Sequence, residues 1–515
     1  FEMARLLGDS FLEQHPTGSF VIMVVDDLPI PCEAPGIESA RLDDLSYEAV
    51  DLDRMKTIYD VKELSTAGKP NILTWLLETH DGAGPAVYLD PDIFVYAPFD
   101  DIVQPAVEHG IGLTPHVLEP VPRDGLAVSE RTIMQAGIFN LGFIAVGPPG
   151  ESFLDWWQHR LLIDAVSHVE AGLFTDQRWV DWVPALFDHE ISRDPGMNVA
   201  WWNIHERLLE EGPDGELSCN GRPLRFVHYS GFDPSSPDVL SKHALPRPRH
   251  PHGPEMLIRR LADDYGTALL DRGHAAAKRT AYQWGTAQDG LTITPAIRRA
   301  CRTALLGGAS TAGDAGTVAG DVPSAFGPTS HELRPWLLET VAGTGAARFN
   351  RVEVALWEER GDLQRAFPDR DATDAERYRH WIDHDPGAAE SLGALRGGPA
   401  GAAQPDRQSP PASGPERRFA AGERMARRLV GVRGSIAPVG LRSRVSFLLH
   451  GPARIAELER SVQQLRQALD DLEAVQAERL DQVRKRVAEV LDDVVARSGT
   501  PRPERDEPAA TDPPS

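Results

Sequence analysis

Three side chains in two short stretches suggest chemistry first. Asp90 and Asp92 stand one residue apart in Tyr88-Leu-Asp-Pro-Asp-Ile93, directly after the apolar run Val87-Tyr-Leu89. Two carboxylates aimed at one spot repel each other unless a cation lies between them. Mg²⁺ and Mn²⁺ prefer oxygen ligands and accept one or two carboxylates together with substrate phosphate. The same Asp-x-Asp spacing recurs at Asp51/Asp53, Asp369/Asp371 and Asp383/Asp385. Only the pair at 90 and 92 ends an apolar strand, where open α/β sheets place their ligands. His228 follows a second short apolar run, Leu224–Val227. Its imidazole suits a Mn²⁺-type site, and Gly231, three residues on, would let the backbone approach a phosphate. The alternatives at these positions are turn-capping aspartates and a hydrogen-bonded structural histidine.

Two further groups are polar where their surroundings are apolar. Asn140 and Gly142 interrupt Ile138-Phe-Asn-Leu-Gly-Phe-Ile-Ala-Val146. A buried amide there must be satisfied by backbone or ligand, and the glycine marks a close approach or a bulge. Asp176-Gln177 opens a helical pattern, so Thr175 or Asp176 either caps that helix or faces a ligand. Asn198-Val-Ala-Trp-Trp-Asn203 could supply an aromatic acceptor platform or core packing.

The elements that would hold these groups alternate strand and helix, the pattern of an α/β domain over residues 1–245. Strands are expected at 20–25, 86–89, 111–113, 138–146 and 224–228. Helices are expected at 1–15, 69–79, 152–165 and 176–186. A helix ahead of the first strand suggests a domain entered after its own first strand. Residues 243–254 form a proline-rich exit, 255–305 a helical extension, and 306–330 a Gly/Ala-rich linker. Residues 331–392 read as a small helical domain and 393–450 as a disordered, basic linker. In 453–497 apolar residues recur from Ile455 to Leu472 and again from Leu480 to Val494 at alternating steps of three and four. That is a coiled-coil seam with one stutter. The tail 498–515 is rich in proline and acid, as disordered segments are.

Composition narrows the function classes. The chain has 515 residues and a net charge of -24, which repels nucleic acid and anionic membranes over most of its surface. Three scattered cysteines give neither a disulfide framework nor zinc spacing and fit a reducing compartment. No apolar run is long enough to cross a bilayer. A cytoplasmic protein, at most peripheral at the inner face of the membrane, is the expectation.

Taken in order, these motifs resemble those of the retaining glycosyltransferases of family eight and their bacterial relatives. That family has a GT-A (Rossmann-like) fold, and the resemblance covers roughly residues 1–245. It implies Asp90, Asp92 and His228 as ligands of Mn²⁺ or Mg²⁺. It implies Asn140, Asp176 and Gln177 on the sugar-facing side, and Gly142 and Gly231 beside the donor. The stretch Tyr59–Leu77 looks like the bacterial relatives, where a basic residue, here Lys69, lies near the donor. The implied reaction moves a sugar from a nucleoside diphosphate, UDP-type, to a glycan or lipid-linked hydroxyl, in bacterial surface polysaccharide synthesis. The chain departs from the pattern at Asp233, where the family has a lysine on the leaving diphosphate, so Lys69 or Lys242 would have to serve. Two other readings remain open: a sugar-phosphate nucleotidyltransferase, and a degenerate transferase domain on a coiled-coil scaffold.

The heptad pattern carries its own test. In light scattering, the full chain should have at least twice its chain mass, and a chain ending at residue 452 should be a monomer. Equal oligomeric states would remove the coiled coil as the assembly element.

Overall fold

Short β-branched and aromatic runs become strands here because each has a partner to bury one face. The computed structural model describes residues 1–395 apart from 31–35, 46, 48, 80–83, 246, 250–255, 308–321 and 346. The heptad segment, the tail and nearly all of the 393–450 linker lie outside the described residues. The described residues belong to one unit, 1–403, of mixed α/β structure.

Its central sheet has four strands in the order Ala86–Leu89, Phe143–Val146, Ile111–Leu113, Glu190–Ile191. The first two pairings are antiparallel and the last is parallel. Phe20–Val24 pairs in parallel with Ile37–Arg41. Ile93–Val95 pairs antiparallel with Phe226–His228, setting His228 opposite Ile93. One face of these strands packs on Phe99, Phe143, Phe226 and Leu7, the last from the helix Glu2–Gln14. That helix is tied to the strands by Ser10, whose hydroxyl accepts the Val95 N–H at 3.1 Å. Among the described residues no helix is long and apolar enough to cross a membrane.

The strands Ala86–Leu89 and Ile111–Leu113 and the helix Lys69–Thr79 have the bounds expected. Other elements are shorter than expected, for identifiable reasons. The 138–146 strand is a ladder only over Phe143–Val146. Before it, the Asn140 side chain accepts the Gly142 N–H at 3.1 Å and folds the backbone into a turn. The 224–228 strand begins at Phe226; upstream, the Arg225 carbonyl accepts both the Tyr96 and Ala97 N–H groups, and Leu224 pairs instead with Leu217. The helix expected over 176–186 divides into Gln177–Val180 and Val183–Leu186, because Pro184 lacks the N–H that would continue it. The helix expected over 152–165 runs Glu151–Leu161.

C-terminal to residue 245 the chain returns to the same core. Among its described residues the 255–305 extension holds three α-helices, Leu257–Asp271, His274–Ala277 and Pro295–Leu305. The last buries Ile297, Cys301 and Leu305 in one cluster with Tyr59, Leu73 and Trp157. Arg302 fixes it there, donating to the Ile163 carbonyl at 2.8 Å and pairing with Asp164 at 2.5 Å. The end of the 306–330 linker is packed rather than loose. Ser324 bonds Thr57 and the Asp53 carbonyl, each at 2.9 Å, and Ala325 and Phe326 are buried. Residues 331–392 contain a β-hairpin, Thr340–Thr344 with Ala347–Asn350, besides their helices. Their Leu333, Phe349 and Tyr378 join that same large cluster, so the segment has no separate core.

Tyr59 spans two layers of this core. Its fully buried hydroxyl donates to the Leu161 carbonyl at 2.7 Å and accepts the Ala165 N–H at 3.0 Å. Tyr59→Phe should destabilise the protein by about 1–3 kcal/mol in denaturant titration, because both backbone groups lose their partner out of reach of water.

Candidate metal centre

Three elements end at one point. Asp90 leaves the strand Ala86–Leu89, Asp92 precedes the strand Ile93–Val95, and His228 closes the strand Phe226–His228. Backbone pairing sets their separation. The Asp90 N–H donates to the Gly142 carbonyl at 2.8 Å, the Tyr229 N–H to the Asp92 carbonyl at 2.8 Å, and the His228 N–H to the Val199 carbonyl at 2.8 Å. His228 Nε2 lies 3.1 Å from Asp92 Oδ1 and 3.8 Å from Asp90 Oδ2. One ligand atom from each residue falls within 4.8 Å of the other two. Neighbouring ligands of an octahedral ion with bonds of about 2.1 Å stand about 3 Å apart. The two carboxylates and imidazole therefore fit Mn²⁺ or Mg²⁺. Asp90 and Asp92 keep 29% and 22% of their side-chain surface open, whereas His228 keeps 4%. The open side of the cluster is therefore that of the two carboxylates.

Lys69 sits behind this cluster, with its Nζ 2.9 Å from Asp176 Oδ2 and 3.6 Å from Asp90 Oδ1. It donates to the Leu141 carbonyl at 2.7 Å and lies over the Tyr88 ring, 4.3 Å from its centroid. Burial alone would push the lysine pKa down; Asp176 and Asp90 outweigh that and hold it above its ordinary value. Burial raises the Asp90 pKa, with Lys69 and His228 only partly offsetting it. Burial also acts on Asp92, but there the charge and hydrogen bond of His228 win and the pKa falls. His228 moves up, because the Asp92 interaction exceeds the cost of its own burial. The three carboxylates and one ammonium leave two negative charges uncompensated when His228 is neutral. That imbalance suits a divalent cation.

On the other side lies a network of buried amides. Asn140 Nδ2 is 3.2 Å from His116 Nε2, and its Oδ1 accepts from Asn198 Nδ2 at 3.0 Å. Gln177 Oε1 accepts the Leu141 N–H at 3.0 Å, and its Nε2 donates to the Ala136 carbonyl at 2.9 Å. Asn140, Asp176 and Gln177 thus gather beside the carboxylates, but all three are buried and face protein partners. They brace the site from behind rather than lining an open sugar surface. Asp176 makes no side-chain cap to the helix it opens; its Oδ1 accepts the Thr175 hydroxyl at 2.9 Å instead.

Gly142 has the close approach expected of it, but to His228. A Cβ there would fall 2.3 Å from His228 Cε1. Gly231 (φ +74°) faces His243, whose Cδ2 would stand 2.4 Å from a Cβ. The room that Gly231 leaves is filled by that ring and not by an open phosphate cradle. Asp233 is paired with Lys278 at 2.6 Å, which, with two bonds from Ser235, holds its pKa down at about 2. Of the cations expected to replace the missing lysine, Lys69 is occupied with carboxylates and Lys242 is exposed.

Three participants had only a faint sequence signal. Thr114 and His116 directly follow the apolar strand Ile111–Leu113, the kind of strand end that marked Asp90. Asn198 stood in the proposed aromatic platform. In the structure Trp202 is core, edge-on to both His116 and His228 with ring centroids 5.4 and 5.2 Å apart.

No family model matches the chain. Over 185 residues the chain is 26% identical to a protein of Bacillus subtilis (strain 168) described as the uncharacterized protein YfnF. The match covers 35% of this chain and 60% of that protein's length.

His116 provides a pH test of the amide network. Burial pushes its pKa from 6.5 down to about 4. The unfolded chain therefore binds the extra proton between those values, and stability is full above pH 6.5 and falls as pH drops toward 4. At that end the loss attributable to His116 is about 3 kcal/mol. Denaturant titrations of wild type and His116→Gln should differ in slope within that pH window and run parallel above pH 7.

Proposed function

We propose that the chain is a divalent-cation-dependent glycosyltransferase of the GT-A type, taking a nucleoside diphosphate sugar, UDP-type, as donor. The acceptor is a glycan or lipid-linked hydroxyl, and the anomeric configuration is retained. The observation that carries this reading is the convergence of Asp90, Asp92 and His228 at three strand ends, with Asp176 joined to the same cluster through Lys69. Four motifs far apart in sequence meet at one place, and the other three Asp-x-Asp pairs do not join them.

When bound, Mn²⁺ or Mg²⁺ supplies Lewis-acid stabilisation of the negative charge that grows on a departing diphosphate. Asp90, Asp92 and His228 would hold it. Lys69 lies between Asp90 and Asp176 and offsets the repulsion that would otherwise push the two side chains apart. Asp176, buried against Lys69, fixes that lysine and through it the position of Asp90. Asn140 and Gln177 hold the 140–142 turn, keeping the backbone close under His228. The Asp233–Lys278 pair places a lysine beside the position at which the family's motif carries one.

The test is release of nucleoside diphosphate from a panel of UDP-, GDP- and dTDP-sugars. Release should require Mn²⁺ or Mg²⁺, stop with chelator and return when metal is restored. Asp90→Asn and Asp92→Asn should each lower it about 100-fold or more. Undiminished turnover by Asp90→Ala would falsify the reading.

A further inference from the structure

The orientation of the Asn140 and Asn198 amides follows from one backbone group whose role is fixed. Gly142 N–H can only donate, so the Asn140 atom 3.1 Å from it is Oδ1. The Asn198 atom 3.0 Å from that oxygen must then be Nδ2, which also donates to Thr114 Oγ1 at 3.0 Å. Asn198 Oδ1 is left facing His228 Nδ1 at 3.2 Å. An amide oxygen accepts only, so His228 carries a proton on Nδ1, and the neutral ring then offers its Nε2 lone pair on the side of Asp90 and Asp92.

We infer that Asn198 is the positioning residue of the metal-binding histidine, fixing its tautomer and ring plane. This rests on the metal reading of the site. The ring has little other freedom. Trp202 stands edge-on to it, and the space beside Cε1 exists only because residue 142 lacks a Cβ. Asn198 is buried at a φ of +51°, a region few non-glycine residues adopt. Asn203 holds that turn, donating to the Asn198 carbonyl at 3.0 Å and to the His116 carbonyl at 3.1 Å, while its Oδ1 accepts the Ala200 N–H at 2.9 Å. Metal-binding histidines commonly donate their second N–H to such an acceptor, and loss of that acceptor weakens metal binding about 10- to 100-fold.

A purely structural role predicts something different, because the two ends of the amide can be separated. Asn198→Asp keeps an acceptor for His228 Nδ1–H, tolerates the left-handed backbone, and loses both donated bonds. Asn198→Gly keeps the backbone conformation and loses the acceptor. Asn198→Ser, with a hydroxyl too short to reach the ring, is the second acceptor-free variant should the glycine variant not fold.

The experiment measures Mn²⁺ binding to the full chain by electron paramagnetic resonance of free Mn²⁺, alongside thermal unfolding without metal. Wild type should bind one Mn²⁺ per chain in this site. Asn198→Gly and Asn198→Ser should bind at least tenfold more weakly. Asn198→Asp should bind within about threefold of wild type while melting at a lower temperature. If the acceptor-free variants bind as wild type does, the inference is overturned and the metal site stands. If Asn198→Asp binds as weakly as Asn198→Gly, Asn198 acts only through stability and the inference is likewise overturned. If the wild-type chain binds no Mn²⁺, the metal reading fails and the inference with it.

Discussion

A buried ammonium holds the centre of this protein together. Lys69 is 1% exposed, and removing such a charge from water costs several kcal/mol unless close partners replace the solvent. Here the partners come from four places: Asp90 at a strand end, Asp176 at the start of a helix, the Leu141 carbonyl in the 140–142 turn, and the Tyr88 ring. Each partner belongs to an element with its own packing. The lysine therefore links the helix Lys69–Thr79 to the sheet and to the 176–180 helix at once. Because neither carboxylate can turn away without leaving the charge exposed to an apolar interior, the geometry of Asp90 is set before any ligand arrives.

The same economy governs the ligands. None of the three depends on a loose loop for its position. Asp90, Asp92 and His228 each stand within one residue of a backbone bond to another segment, and strand-borne groups hold their geometry better than groups on free loops. The 140–142 turn lies beneath all of them. Its Asn140 bonds its own backbone and Asn198, its Leu141 carbonyl takes the lysine, and its glycine admits the histidine ring. Three successive residues thus serve three different partners, which explains why an otherwise apolar run is broken there.

Strand and helix bounds were readable wherever apolar periodicity alone decides them, as at Ala86–Leu89, Ile111–Leu113 and Lys69–Thr79. They were misread where a side chain competes with the ladder, as at Asn140, or where a proline interrupts a helix, as at Pro184. The Asp90, Asp92 and His228 cluster was readable because strand ends and residue types coincide. The spacing itself carried nothing. Asp51 pairs with Arg54 on a helix, Asp369 binds Thr373, Asp371 pairs with Arg370, and Asp385 caps Gly387. The role of Lys69 was visible only as a basic residue near the site, because its burial depends on contacts more than 70 residues away, at Leu141 and Asp176. The return of residues 322–392 to the first core was hidden for the same reason. A Gly/Ala-rich stretch reads as a linker whether or not its final residues find a surface to pack on.

The opposite pKa directions of the two aspartates show that the pair is not symmetric. Asp92 has His228 in hydrogen-bond reach and stays readily ionised, while burial makes Asp90 hold a proton more easily and Lys69, shared with Asp176, offsets that only in part. The difference follows from the backbone. The strand pairing that places His228 opposite Ile93 brings the ring to Asp92, and the Gly142 carbonyl bond turns Asp90 toward the lysine. A divalent ion between them would match both carboxylates with its two charges and relieve the shortage that Lys69 alone leaves. The site is thus built with one carboxylate anchored to the protein's own cation and one to the imidazole, and the space between them is where a further cation costs least.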